Sequence, residues 1–139
     1  MTIRVNEKIE VSTPDIFRLI PFVLIENAIK YSPINIDQDI EIKESITCEG
    51  LDIYISSQGP KIEEDEFKKI FDPFYRGRAA KEDDGSGVGL FAAKKISTML
   101  EIGLEAKQSE RSFGFNEREY FDTTFTISIP KKILSNKKC

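Results

Sequence analysis

A chain of 139 residues with 20 Lys+Arg against 24 Asp+Glu, 40% hydrophobic and 10% aromatic residues, has the make-up of one soluble globular domain; at that size it buries roughly two thirds of its unfolded surface. The formal charge of −4 gives no general attraction for nucleic acid or anionic lipid, so any polyanion must be held locally. The count of zero histidines excludes Ser/His/Asp and Cys/His nucleophilic systems, His-ligated metals, the His-containing loop of eukaryotic-type protein kinases, and phosphorylation of this chain on its own histidine.

Ile3, Val5, Ile9 and Val11 alternate with polar residues, which predicts a half-buried strand or a pair of short ones. A helix follows, with Thr13 as N-cap, Pro14 at the first helical position and Asp15 complementing the helix dipole. Pro21 kinks this helix or starts its second segment. From Phe22 to Tyr31 only Glu26, Asn27 and Lys30 are polar, which predicts burial on most sides with one polar patch; Ser32-Pro33 ends the helix. Asp39–Thr47 and Leu51–Ser57 read as strands of a hairpin turning at Glu49-Gly50, and Gln58-Gly59-Pro60 breaks the second.

Glu63–Ile70 reads as a short helix, with Glu63–Glu66 and the later Asp83-Asp84 as solvated acidic faces. Phe71–Ser86, with Pro73, two glycines and mixed charge, reads as a mobile loop of functional length. Val88–Leu100 carries Leu90, Ala93, Ile96 and Leu100 near helical spacing. Leu104–Gln108 and Thr124–Ile129 are the last strands, separated by the polar-aromatic stretch Arg111–Phe121. Residues 131–139 read as a flexible, solvated tail. The order predicts an α+β fold, an α/β sandwich, in which a mixed, mostly antiparallel sheet of about five strands is covered on one face by about three helices.

Leu19–Ile25, the longest apolar run, is interrupted by Pro21 and falls short of the roughly 18 residues of a membrane span, and the polar start is no signal peptide. The expectation is a cytoplasmic domain without membrane insertion or nucleic-acid binding. Cys48 and Cys139 form neither CxxC nor a zinc spacing, which argues against a disulfide framework and a structural metal, with Cys48 in a strand and Cys139 in the tail.

Gly85-Ser86-Gly87-Val88-Gly89-Leu90 opens a helix. Glycines at alternate positions let backbone N–H groups approach an anion, and the helix N-terminus behind them adds unpaired donors. It is neither a Walker loop nor a dinucleotide fingerprint, and a flexible hinge competes with the phosphate cradle as its explanation. Asn27, Lys30 and Tyr31 share one face of an otherwise apolar helix, a costly arrangement unless something polar docks there; singly each reads as structural, together with the glycine loop as a site.

Four segments then carry a family resemblance. Leu24-Ile25-Glu26-Asn27-Ala28-Ile29-Lys30-Tyr31-Ser32-Pro33 resembles the asparagine box of bacterial sensor histidine kinases, and Gln58-Gly59-Pro60-Lys61-Ile62 their first glycine box. Ile70-Phe71-Asp72-Pro73-Phe74-Tyr75-Arg76-Gly77 resembles the phenylalanine box, Gly85 to Leu90 the second glycine box, and Thr124 to Pro130 the last strand. The order matches, and the resemblance covers nearly the whole chain. It implies the Bergerat-type ATP-binding fold shared with gyrase, the ninety-kilodalton heat-shock chaperone and MutL, as one domain over residues 1–139.

The resemblance implies ATP and Mg²⁺ as ligands. Asn27 would bind Mg²⁺ through its side-chain oxygen, Lys30 would contact phosphate, Tyr31 would flank the nucleotide, and Gly59 and Ile62 would shape the adenine pocket. Phe71 to Ser86 would be a lid, disordered without nucleotide, with Arg76 near the phosphates. Gly85, Gly87 and Gly89 would line the triphosphate, with Ser86, Val88 and Leu90 as further nucleotide-binding residues, and Thr124 would lie beneath adenine. Asn27, Lys30 and Arg76 would be the catalytic set. Three residues depart from the pattern. Val23 stands one turn before Asn27, where hydrolysing relatives carry a glutamate that activates water, so rapid hydrolysis is not expected. Ser57 aligns with the aspartate that accepts the adenine amino hydrogen, a loss of about 1 to 2 kcal/mol. Lys61 replaces a glycine. Glu26, beside Asn27, faces elsewhere on the helix.

The implied function is the Mg·ATP-binding catalytic domain of a two-component sensor histidine kinase. It would transfer the γ-phosphoryl group to a histidine on a separate dimerisation domain of the same protein, from which a response regulator takes it. The acceptor is absent, so the chain is expected to be a fragment, unable to autophosphorylate alone, of a protein anchored in the inner or plasma membrane. Two alternatives stand beside it: a degenerate regulatory or partner-binding module, suggested by Ser57 and Lys61, and a free-standing serine kinase of the anti-sigma-factor type.

Overall fold

The computed structural model describes residues 2–5, 13–33, 39–75, 88–115 and 117–133. Its regular elements are β1 (Thr2–Val5), α1 (Leu19–Tyr31), β2 (Asp39–Ile46), β3 (Gly50–Gly59), α2 (Gly89–Met99), β4 (Gly103–Phe115) and β5 (Arg118–Pro130). Short 3-10 turns occupy Asp15–Arg18, Glu64–Glu66, Lys69–Phe71 and Lys131–Ile133. The strands form one five-stranded sheet in the order β1-β2-β3-β5-β4. β1 runs parallel to β2 and the other pairs are antiparallel, so the sheet is mixed and mostly antiparallel, as expected.

Register explains how the sheet acquires one apolar face. Ile42 pairs with Ile55, Leu51 with Ile129, Ile53 with Ile127, and Ile127 in turn with Leu104. All are inward positions of a period-two pattern, and the alternate positions, such as Ser56 opposite Thr124 and Asp52 opposite Ser128, point the other way. α1 packs on β3 and β2, and α2 on β4 and against α1. Ile20, Leu24 and Ala28 of α1 and Ala93 and Ile96 of α2 close the core over that face.

Local chemistry accounts for the element ends. α1 begins at Leu19 so that Pro21 falls in its first turn, where the missing N–H has no partner to lose. Upstream, Phe17 N–H bonds the Pro14 carbonyl at 2.9 Å in a 3-10 turn that has no side-chain cap, so Thr13 does not cap it. Ser32 closes the helix, its hydroxyl donating to the Ala28 carbonyl at 2.5 Å.

Several expectations are corrected. α1 buries one stripe only: Leu19 and Ile29 are exposed and Phe22 is 62% exposed, because a helix laid on one side of a sheet offers the core a single face. The short helix expected over Glu63–Ile70 is two 3-10 turns, leaving two α-helices among the described residues. Arg111–Phe121 does not interrupt the last strands. It continues them as a long hairpin past a register shift between Gln108 and Ser112. Cys48 lies in the turn between β2 and β3, not in a strand, and is disulfide-bonded; sequence spacing carries no information about which Cβ atoms meet. The first residues of the expected tail form a turn tied back to the fold, with Lys131 N–H on the Glu49 carbonyl at 2.9 Å and Lys132 paired with Glu101 at 2.6 Å. The expected strand residues Ile9 and Val11, residues 76–86 of the expected lid with Asp83-Asp84, Gly87, and residues 134–139 lie outside the described residues.

Candidate functional site

A cleft opens where α1 crosses the β3–β5 end of the sheet. α1 contributes Asn27, Ala28 and Tyr31, β3 contributes Ser57 and Gly59, and β5 contributes Thr123 and Phe125. The chain leaving β3 adds Pro60, Lys61 and Ile62; Glu66, Ile70 and Tyr75 close one side, and Leu90 of α2 another. The walls are mostly apolar with a few convergent polar groups, the composition of a small-ligand site.

Two of those polar groups stand out by what they lack. The Asn27 amide and the Ser57 hydroxyl are both on half-buried residues lining the cleft, and neither makes a side-chain hydrogen bond among the described residues. Partly buried polar groups without an intramolecular partner are costly unless a ligand or water satisfies them. The other polar side chains are engaged. Glu66 is 1% exposed, and its carboxylate accepts from Tyr75 O–H at 2.7 Å and from Glu63 N–H at 2.8 Å. That is a capping box on the turn Glu64–Glu66, and it turns the expected solvated acidic face into a buried strut under the cleft.

Gln108 of β4 holds the opposite wall. Its Nε2 donates to the Pro60 carbonyl and to Thr123 Oγ1, both at 2.9 Å, and its Oε1 accepts from Ile62 N–H at 2.8 Å. Thr123 passes the chain on to the Phe121 carbonyl at 3.0 Å. Gly59 permits this packing, since a Cβ there would stand 3.3 Å from Thr123 Oγ1. Gln108→Ala strands these partners, so we expect a destabilisation of about 2 kcal/mol by urea unfolding, against about 0.5 kcal/mol or less for the exposed Ser109→Ala.

Of the residues singled out from sequence, Asn27, Tyr31, Ser57, Gly59, Ile62 and Leu90 line one cleft. Lys30 is exposed beside it, its Nζ 5.6 Å from the Tyr31 ring centroid. Val88 is exposed at the start of α2, and Gly89 packs on α1, where an added Cβ would stand 3.3 Å from Val23 Cγ1. Phe71 is a core residue behind the wall. Its ring meets Phe125 edge to face at 6.4 Å, with Lys94 Nζ 5.4 Å from its centroid. Thr124 is corrected: it is on the polar face of the sheet, with its hydroxyl 2.8 Å from Ser56 Oγ, and Thr123 faces the cleft instead. Arg76, Gly85, Ser86 and Gly87 lie outside the described residues.

Sequence reasoning misses Glu66, Gln108, Thr123, Phe125 and Tyr75. The Glu63-x-x-Glu66 spacing is a readable signal for the first. Nothing local to Gln108 announces its contacts, which form across strands.

As to metals, no group of three or more His, Cys, Asp or Glu residues could hold an ion among the described residues. The Asn27 amide oxygen fits the other mode, a hard cation that takes one protein oxygen and completes its shell with a ligand's oxygens and water.

Residues 13–133 match the family model described as histidine kinase-, DNA gyrase B-, and HSP90-like ATPase. The chain is 30% identical over 116 residues to the autoinducer 2 sensor kinase/phosphatase LuxQ of Vibrio harveyi, covering 80% of this chain and 12% of LuxQ. It is 34% identical over 112 residues to the signal transduction histidine-protein kinase/phosphatase MprB of Mycobacterium sp. (strain KMS), covering 81% of this chain and 21% of MprB. Among solved structures, full-length ShkA in complex with AMPPNP superposes with a TM-score of 0.60 at 19% identity, over 83% of this chain and 21% of that one. The chain thus spans less than a quarter of the length of these relatives.

Proposed function

The chain belongs to the histidine kinase-, DNA gyrase B- and HSP90-like ATPase family, and from that membership we propose that it is the Mg·ATP-binding catalytic domain of a sensor histidine kinase, passing the γ-phosphoryl group to a histidine on a separate helical dimerisation domain. The observation that carries the reading is the cleft itself, with the Asn27 amide and the Ser57 hydroxyl turned into it and unmatched by protein partners among the described residues.

In this reading the base enters between Ile62, Leu90 and Phe125, toward Ser57 and Gly59, and excludes water there. Asn27 offers its amide oxygen to Mg²⁺, whose chemistry would be to neutralise charge on the phosphates; Lys30, exposed beside Tyr31, adds a positive charge at the same mouth. Arg76 and the glycines 85, 87 and 89 would extend the phosphate contacts. Catalysis would rest on positioning and charge.

Val23 supports transfer over hydrolysis. It occupies the turn of α1 before Asn27 and its methyl group lies against Gly89, so that stretch of helix offers an aliphatic surface and no general base. The histidine-free chain would be inert toward itself, would work in the cytoplasm, and would supply a response regulator through its acceptor domain. Among the described residues no helix is long and apolar enough to cross a membrane.

The test is transfer of labelled γ-phosphate from Mg·ATP. Label is expected on a histidine-bearing helical domain supplied in trans, lost in acid, with none on this chain alone. Acid-stable label on a serine-bearing protein would instead establish the serine-kinase alternative, and nucleotide binding without transfer to either would establish the regulatory-module alternative.

A further inference from the structure

Ser57 and Lys61 give the cleft an unusual set of hydrogen-bonding groups, and their meaning rests on the reading that the cleft takes a nucleotide with its base toward Ser57. The engaged groups there are already committed. Gln108 uses its donors on Pro60 and Thr123 and its oxygen on Ile62 N–H, and Thr123 donates to Phe121. The two Glu66 oxygens accept from Tyr75 and Glu63. Among the described residues the Ser57 hydroxyl is left unengaged to read a base edge, and the Lys61 ammonium, paired with Glu63 at 3.7 Å and half in solvent, lines the same cleft.

A hydroxyl is both donor and acceptor, with a proton that rotates to suit; an ammonium is donor only; a carboxylate at such a position could only accept. The six-position of a purine carries either an amino group, which donates, or a carbonyl, which accepts. Ser57 can satisfy both by turning its proton, and Lys61 adds a second donor toward a carbonyl. Among the described residues the fully buried polar side chains of the cleft, Glu66 and Thr123, are already paired, so they do not impose the penalty that makes hydrogen-bonding sites selective, an unpaired buried group left facing the wrong partner.

We propose that Ser57, with Lys61 lining the same cleft, makes this a purine-tolerant site that binds 6-oxopurine nucleotides, those of guanine and hypoxanthine, on a par with adenine nucleotides. The same residue then sets specificity: a carboxylate at position 57 would favour the amino group and repel the carbonyl oxygen.

The test is calorimetric titration of the full chain with ADP, GDP and IDP in the presence of Mg²⁺, on the wild type, Ser57→Asp and Ser57→Ala. IDP carries the 6-carbonyl and its N1–H without the 2-amino group of guanine, and so separates the 6-oxo edge from that group. Wild-type dissociation constants are expected to agree within about tenfold across the three. Ser57→Asp should raise the preference for ADP by at least about tenfold, and Ser57→Ala should weaken all three by a similar small factor. A wild-type preference for ADP beyond tenfold, or a Ser57→Asp variant whose ADP-to-IDP ratio is unchanged, overturns the inference and leaves the nucleotide reading in place. No saturable binding of any of the three at millimolar concentration overturns both.

Discussion

Asn27→Ala is expected to abolish magnesium-dependent nucleotide binding while leaving the fold at least as stable as before. The two halves of that expectation come from the same observation. The amide lines the cleft on α1, half-buried, with no side-chain partner among the described residues, so the folded protein loses no internal hydrogen bond when it is removed. Alanine is also the better helix former by several tenths of a kcal/mol, so stability should hold or rise slightly. Binding should fall by at least about a hundredfold, or about 3 kcal/mol, if the amide oxygen is the protein's ligand to the cation that bridges it to the phosphates. A thermal-shift experiment separates the two effects. Ligand at a hundred times its dissociation constant stabilises the wild type by about 2.7 kcal/mol, and that increment should fall to about 0.4 kcal/mol or less in the variant while the ligand-free midpoint stays put. A variant that binds Mg·ATP analogue as the wild type does would remove Asn27 from the site. One that is destabilised without ligand would make the amide a structural group. A residue that weakens the resting fold slightly and strengthens only the complex is what a site on an otherwise apolar helix should contain.

The parts of the fold legible in the sequence are those where period and burial coincide. Ile53 and Ile55, or Phe125, Ile127 and Ile129, alternate with polar residues, and their strands form where expected because only that register puts every branched side chain on the helix side. α1 is harder. Its residues are apolar nearly all round, yet only Ile20, Leu24 and Ala28 are buried, with Val23 and Ile25 half-buried against the core, since the number of apolar residues says nothing about how many faces a neighbour covers. The site shows the same division. Asn27, Tyr31, Ser57, Gly59 and Ile62 are legible because each sits in a local motif. Thr124 is misplaced by one residue: the resemblance points to it, but the alternation of Phe125, Ile127 and Ile129, and pairing with Ser57, put Thr123 inward. Gln108 and Glu66 owe their roles to partners far along the chain or to a cap, and burial converts their ordinary polar side chains into walls of the cleft.

Gly50→Ala should be among the most destabilising single-methyl changes available to this chain. Gly50 is buried at the start of β3, opposite Pro130 at the end of β5, in the central pairing of the sheet. A Cβ there would lie 2.1 Å from the Ile129 carbonyl oxygen and 3.1 Å from Pro130 Cα. Those are backbone atoms that no rotamer change can move, so relief requires β3 and β5 to part. The next pair along is Leu51 with Ile129, both 1% exposed, so parting the strands also opens the core. The turn is pinned from both sides, with Thr47 and Gly50 exchanging backbone hydrogen bonds at 2.9 and 3.3 Å and Lys131 N–H on Glu49 at 2.9 Å, which leaves little freedom to absorb the shift. We expect a loss of about 3 kcal/mol and a fall in Tm of about 10 °C. Gly114→Ala is the control: its nearest would-be neighbour is the Arg118 carbonyl oxygen at 3.8 Å, ordinary contact distance, and its effect should stay within about 0.5 kcal/mol. If the two variants unfold within about 1 kcal/mol of each other, the close approach at Gly50 is not what holds the β3–β5 pairing. The change also bears on function through position. Gly50 and the cleft residues Ser57 and Gly59 are at opposite ends of one strand, so at temperatures where the variant remains folded its affinity for Mg·ADP should match the wild type's. A variant that loses affinity while still folded would show that strain at the turn travels the length of β3 to the site.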